Sequence, residues 1–250
     1  MMLKELLETT VNLLYPPHCV GCGLSLHREL GPYLCEGCGK GITYIQSPRC
    51  LRCGAGLGPY GSSPEEGCEY CNTVRLRFDA AFSAVYFHGA VKELIHQFKY
   101  GKKEYLVRPL ISIVYRALDA GLPFPGTPYL VIPVPLHRRK KAQRGFNQAE
   151  LLARHIGRYL EAEVVTRGLS RVRDTCPQTS LGPTQREANV RGAFEVRIPA
   201  RFSGKTVLLV DDVLTTGLTA SECAKVLKRA GAERVYVLTV ARSVGPDHGS

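Results

Sequence analysis

The chain has 250 residues, 44% hydrophobic content, no Trp and a net charge of +11. This excludes a disordered chain and fits one or two packed domains, and no run nears the roughly 18 apolar residues that a membrane span needs. The charge is uneven: residues 1–90 carry seven Lys/Arg and eight Asp/Glu, whereas 91–250 carry 26 and 14, so the second part is expected to meet an anion such as phosphates, nucleic acid or anionic lipid.

Residues 2–14 place Leu3, Leu6, Leu7, Val11, Leu13 and Leu14 at helical spacing. They predict an amphipathic helix of about three turns, closed by Pro16–Pro17. Lys4, Glu5 and Glu8 interrupt the apolar run, so it reads as a packing helix and not a secretory leader. A membrane-surface role is the lesser alternative. The expectation is a cytoplasmic protein without stable membrane insertion.

Eight of the ten cysteines form four C-x-x-C pairs: Cys19/Cys22, Cys35/Cys38, Cys50/Cys53 and Cys68/Cys71. The first two pairs recur 31 and 33 residues on, which marks an internal repeat. Disulfides are disfavoured without an export signal, and a redox C-x-x-C is normally single. Zinc explains the repeat better: two thiolates on a tight turn face one ion, and two turns complete a tetrahedron. Gly23, Gly39, Gly54 and Asn72 follow the second Cys of each pair, residue types that tolerate the positive φ expected of a knuckle. All eight positions are thiolates, so two structural Zn2+ ions are expected. Pairing within each repeat is the simplest assignment, and an interleaved one stays open. His18 and His27 are read as exposed, Cys223 as a core residue on a helix, and Cys176 as part of a polar loop.

Beyond Cys71 the pattern changes. Phe78–Phe87 is strand-like. Val91, Leu94, Ile95 and Phe98 then follow helical spacing from Gly89, and a second helix covers about 104–119. Residues 121–128 form a turn-rich connector. Tyr129–Val134 is an apolar strand, followed by a basic loop and a helix from about Asn147, its cap, to Leu160. Val164–Val165, Leu169–Val172 and Phe194–Ile198 are short strand candidates around a polar, mobile stretch at 174–193. Thr206–Asp211 is the clearest strand. A helix at about 218–230 and a strand at Arg234–Val240 follow. Strands separated by helices predict an α/β domain with a parallel sheet flanked by helices. The expected division is an N-terminal helix and double zinc ribbon at 1–76, an α/β domain at 77–242 and a tail at 243–250.

Ligands of such sheets sit at the carboxyl ends of strands. Asp211 and Asp212 end the Val207–Val210 run, and Thr215, Thr216, Gly217 and Thr219 lead into a helix whose free N–H groups suit a phosphate. Adjacent acids there are costly unless a ligand or metal uses them. The segment is neither a Walker loop nor a G-x-G-x-x-G loop. The basic stretch His137–Gln148 carries Arg138, Arg139, Lys140, Lys141 and Arg144 with no acid. It suits pyrophosphate, with a solvated surface or a nucleic-acid patch as the alternative.

Val207–Thr219 resembles the signature of type I phosphoribosyltransferases. The wider pattern resembles the ComF family, tied to DNA uptake in competent bacteria. The cysteine pairs, IPVPLH at 132–137, RGFNQAELLA at 144–153 and REANVRGAF at 186–194 carry that likeness over about residues 19–242. It implies a zinc-ribbon domain followed by a Rossmann-like type I phosphoribosyltransferase domain, binding phosphoribosyl pyrophosphate with Mg2+. By resemblance Asp211 and Asp212 hold the ribose hydroxyls, and the loop Leu214, Thr215, Thr216, Gly217, Leu218, Thr219 holds the 5-phosphate. The pyrophosphate loop is Pro135, Leu136, His137, Arg138, Arg139 and Arg144. A mobile flap carries Gln178, Arg186, Asn189 and Arg191. One reading is a phosphoribosyltransferase with an unidentified acceptor and no assigned general base; His137 is a candidate, but reads rather as a phosphate contact or an exposed histidine. The other is a non-catalytic sugar-phosphate sensor, single-stranded DNA binder or scaffold of the uptake machinery, with a helicase or other competence proteins as partners. Phe98–Lys99–Tyr100 and Arg144–Phe146 offer the ring-and-cation interleaving that single strands favour.

Overall fold

A computed structural model describes residues 17–26, 33–57, 67–119, 121–125, 129–174 and 188–243. The helix read at 2–14, His27, Cys176, Gln178, Arg186 and the tail from residue 244 lie outside the described residues. The cysteine-rich part contributes two short helices, α1 (Glu36–Lys40) and α2 (Glu69–Thr73). The chain then runs β1 (Ala80–Tyr86), α3 (Gly89–Tyr100), a 3-10 turn (Glu104–Leu106), α4 (Val107–Leu118) and β2 (Tyr129–Pro133). It continues through α5 (Arg138–Arg144), α6 (Gln148–Tyr159), β3 (Glu163–Val164), β4 (Leu169–Arg171), β5 (Phe194–Val196), β6 (Thr206–Leu214), α7 (Leu218–Arg229) and β7 (Arg234–Arg242).

Five strands form one parallel sheet in the order β1-β7-β6-β2-β3. Alternation along β6 sends Val207 and Leu209 to one face and Leu208 and Val210 to the other. The first pair packs with Ala220, Cys223, Ala224 and Leu227 of α7. The second packs with Leu94, Ile95 and Phe98 of α3, Leu110 and Val114 of α4, and Leu152 and Ile156 of α6. Helices thus cover both faces, and each fully buried Leu or Ile contributes roughly 2 kcal/mol. Val91, Leu94, Ile95 and Phe98 are the buried face of α3, as their spacing predicts. Cys223 lies in the core on the buried face of α7.

Two sequence expectations are corrected. The strands β4 and β5 do not join the parallel sheet; they pair antiparallel as a separate ribbon. The basic loop after β2 contains a helix, α5, closed at Gly145. Its seven residues have no buried member, so no apolar periodicity marks it in the sequence.

The second half of the cysteine-rich part is fused to this domain. Thr43–Ile45 runs antiparallel along β1, with Ile45 N donating to Ala84 O (3.0 Å) and Tyr86 N donating to Thr43 O (3.0 Å). Arg49 donates to Ser83 O at 2.9 Å and stacks over Phe82. These contacts cover an edge strand that would otherwise offer unpaired backbone groups.

Candidate functional site

The arrangement of the sheet places the site. From β2 the chain leaves through α5 and α6 toward β3, while from β6 it leaves through α7 toward β7. The two connections diverge, and a crevice opens at the carboxyl ends of β2 and β6. The pairing of β2 with β6 ends at Pro133 and Val210, with Val134 N donating to Val210 O at 2.9 Å. Against β7, however, β6 continues to Leu214. The strand is therefore three residues longer than predicted, and Asp211–Leu214 project past β2 with one side open.

A cavity of about 630 Å³ fills this crevice. Asp211, Asp212, Leu214, Thr215, Gly217 and Thr219 line it from β6 and the following loop, and Leu136 and Arg144 from the β2 side. Thr216 and Leu218 are not on its wall; Leu218 N donates to Thr216 Oγ1 at 3.5 Å. Gly217 precedes α7 with φ +73°, a conformation that turns the chain from strand to helix and that a side chain would strain. The positive dipole end of this 12-residue helix favours an anion there.

Alternation separates the two acids. Asp212 turns toward α3, where Lys99 Nζ meets its carboxylate at 2.7 Å. Asp211 lies on the α7 face, and Asp212 N donates to its Oδ1 at 2.9 Å. Burial first, then the neighbouring Asp212 charge, pushes the Asp211 carboxyl up to about 7, against the pull of Lys99.

Other predicted residues fall elsewhere. Pro135, His137, Arg138 and Arg139 do not line the cavity. His137 precedes α5 with its Nδ1 3.5 Å from Asp174, which Arg139 also approaches at 3.7 Å. Arg138 is exposed. Arg144 stacks over Tyr100 and donates to Gln148 Oε1 at 3.1 Å. Asn147 ties the end of β2 to the start of α6: its Oδ1 accepts from Ala149 N (3.2 Å) and its Nδ2 donates to Val134 O (3.1 Å). Of the flap, Asn189 and Arg191 sit beside Gly192, whose N–H donates to Glu222 of α7 at 2.9 Å; neither lines the cavity. The interleaving read around Phe98 and Phe146 is packing: both rings are buried with centroids 5.4 Å apart, and only Tyr100 is exposed.

The cavity also brings in residues the sequence reading did not assign to the ligand. Lys92, His96 and Lys99 come from one stripe of α3, and Arg171 from the end of β4. The i, i+4, i+7 spacing beside the apolar face was a usable signal for the α3 residues. Arg171 carries no local signal, since only the chain fold brings β4 to β6. Burial lowers the Arg171 pKa, while Asp211 and Asp174 raise it.

The cysteines assemble as two separate quartets, Cys19–Cys22–Cys35–Cys38 and Cys50–Cys53–Cys68–Cys71, with the four sulfurs of each within 4.8 Å of one another. Pairing is therefore within each repeat, and four clustered thiolates fit a tetrahedral Zn2+. The φ > 0 expectation holds for half of the knuckles. Gly23 and Gly54 have φ +76° and +69°, whereas Gly39 and Asn72 lie within α1 and α2. In each quartet one pair sits on a left-handed knuckle and the other on a helical turn, which needs no special residue. Cys50, Cys53 and Cys71 share the α7-side core, while Cys19 and Cys35 form a small cluster of their own with Leu26.

Two stretches of the chain match known families. Residues 10–75 match a double zinc ribbon domain and residues 142–247 a phosphoribosyl transferase domain. The chain is 32% identical over 228 residues to competence protein F of Haemophilus influenzae, covering 90% of this chain and 96% of that protein. It is 28% identical to DNA utilization protein YhgH of Escherichia coli (93% and 100% covered) and 24% identical to competence protein ComFC of Bacillus subtilis (84% of each). Among solved structures, the glutamine phosphoribosylpyrophosphate amidotransferase of Bacillus subtilis matches 60% of this chain and 27% of its own at 18% identity and a TM-score of 0.31. With two cysteine quartets, a match to a phosphoribosyl transferase domain and a relative aligned over nearly its whole length, the chain belongs to the ComF family.

Proposed function

We propose that this protein binds phosphoribosyl pyrophosphate with Mg2+ in the cavity between β2 and β6, and that it acts on the cytoplasmic side in the uptake or processing of DNA during natural transformation. The carrying observation is that Asp211, Asp212 and the start of α7 open onto the same cavity as Leu136 and Arg144. The 5-phosphate sits at the α7 N-terminus with the hydroxyls of Thr215 and Thr219. The acid pair accepts from the ribose hydroxyls, and Lys99 and Arg144 face the pyrophosphate charge. The names of the relatives in Haemophilus influenzae, Escherichia coli and Bacillus subtilis support the DNA-uptake role.

The carboxylates on the cavity wall are Glu93, Asp211 and Asp212, hard oxygen donors of the kind Mg2+ takes. Bound Mg2+ would neutralise the charge that grows on the departing pyrophosphate. In turnover the acceptor forms a bond to the anomeric carbon while the carbon–oxygen bond to pyrophosphate breaks and its electron pair leaves with pyrophosphate. Arg144 and Lys99 stabilise that charge, and the loop holds the sugar still. A second reading, capture of single-stranded DNA, is favoured by the basic face of α5, where Arg138, Arg139 and Lys141 are exposed, although Arg139 and Lys141 also approach Asp174 and Glu150 at 3.7 and 3.5 Å. No helix of the described residues is long and apolar enough to cross a membrane.

Calorimetric titration with phosphoribosyl pyrophosphate, with and without Mg2+, tests the proposal. Saturable binding that requires Mg2+ supports it, and binding of single-stranded DNA alone, steeply weakened by salt, supports the second reading. Pyrophosphate release on adding candidate acceptors then tests turnover.

A further inference from the structure

The wall behind the phosphate loop is built from the second cysteine quartet. Tyr70, on α2 between Cys68 and Cys71, donates its hydroxyl to the carbonyl of Thr216. Arg242, the last residue of β7, stacks over the Tyr70 ring with its guanidinium carbon 5.5 Å from the centroid. Behind Gly217 stand Leu76 and Phe78, close enough that an added Cβ would lie 3.2 and 3.5 Å from their side chains. Ser221 in the first turn of α7 accepts from Arg77 N at 3.0 Å and donates to Arg75 O at 3.5 Å. The first quartet makes no such contact with this loop among the described residues; Val20 and Leu34 beside it pack on the α3-side core instead.

We propose that Tyr70 is a positioning residue for the phosphate loop, linking metal occupancy of the second quartet to the affinity of the sugar-phosphate cavity. The inference rests on the phosphoribosyl pyrophosphate reading given above. Zinc at Cys50, Cys53, Cys68 and Cys71 fixes α2, α2 fixes the Tyr70 hydroxyl, and the hydroxyl fixes the Thr216 peptide inside the loop. The loop must present its N–H groups in one geometry to grip a phosphate, so loosening α2 spreads the loop over several. Coupling between sites is reciprocal. A bound sugar phosphate must therefore slow the loss of zinc from the second quartet and leave the first unaffected.

The test uses the full zinc-loaded chain and Tyr70→Phe, which keeps the ring against Arg242 and removes only the hydroxyl. Tyr70→Phe is expected to weaken binding of Mg–phosphoribosyl pyrophosphate by roughly three- to tenfold, the value of one hydrogen bond, with faster amide hydrogen exchange at residues 214–220. In zinc transfer to a chromogenic chelator, the ligand should slow one of two release phases in the native chain and neither in Tyr70→Phe. Equal affinity and equal exchange in the variant overturn the inference, as does zinc release that the bound ligand leaves unchanged. A native chain that binds no sugar phosphate refutes the ligand reading instead. The coupling then stands or falls on exchange at 214–220 alone, which must rise in Tyr70→Phe.

Discussion

Asp211→Asn separates stability from binding in a way that follows from the strand geometry. The Asp211 carboxyl is held up to about 7 from its ordinary 3.8 by burial and by Asp212. That displacement corresponds to roughly 4 kcal/mol of unfavourable ionisation as a ceiling. Asp211 lines the cavity and is only partly buried, so solvent screening reduces this to about 2 kcal/mol. Because the folded pKa lies above the unfolded one, the penalty is absent below about pH 4, grows through the interval and is complete above about pH 7. Asparagine keeps the shape and carries no charge. The variant is therefore expected to melt about 4–8 °C higher than the native chain at pH 8, and at nearly the same temperature at pH 4. It should also lose most of its sugar-phosphate affinity, since the amide offers one neutral acceptor where the carboxylate offered two charged oxygens to the ribose hydroxyl. Thermal melts at several pH values, paired with calorimetric titration, check both halves. A variant that melts lower than the native chain at pH 8 would refute the electrostatic reasoning.

Lys99→Met leaves Asp212 without its 2.7 Å partner. It should destabilise the domain by about 2 kcal/mol and move the Asp211 carboxyl above about 7, read as an upward shift in the pH at which ligand binding releases protons. Asn147→Ala removes both the cap on Ala149 and the tie to Val134; a loss of about 1–2 kcal/mol in denaturant melts is expected. Elemental analysis should find two zinc ions per chain. Cys53→Ser, with its sulfur in the α7-side core, should lower thermal stability far more than Cys22→Ser, whose position is exposed.

Patterns that a single strand or helix carries were legible in the sequence. The α3 face, the Asn147 cap, the β6 run and the two quartets follow from period, capping chemistry and C-x-x-C spacing. What escaped depends on contacts between distant segments. The Lys99–Asp212 pair joins α3 to β6, Arg171 reaches the cavity from a ribbon outside the main sheet, and Tyr70 meets Thr216 across 146 residues of chain. Nothing local to those residues marks the meeting. The extension of β6 to Leu214 was missed for a related reason: its last residues are held by pairing with β7 alone, so their acids and threonines look like a loop when read along the chain. The basic stretch was read as a loop because α5 buries nothing and leaves no apolar stripe in the sequence.

The most direct measurement is calorimetric titration of Mg–phosphoribosyl pyrophosphate into the native chain and into the double variant Asp211→Ala, Asp212→Ala, with thermal melts to show that both are folded. Saturable binding to the native chain and none to the folded double variant is the predicted result. Equal affinity in the two would contradict the placement of the activated sugar at Asp211–Thr219.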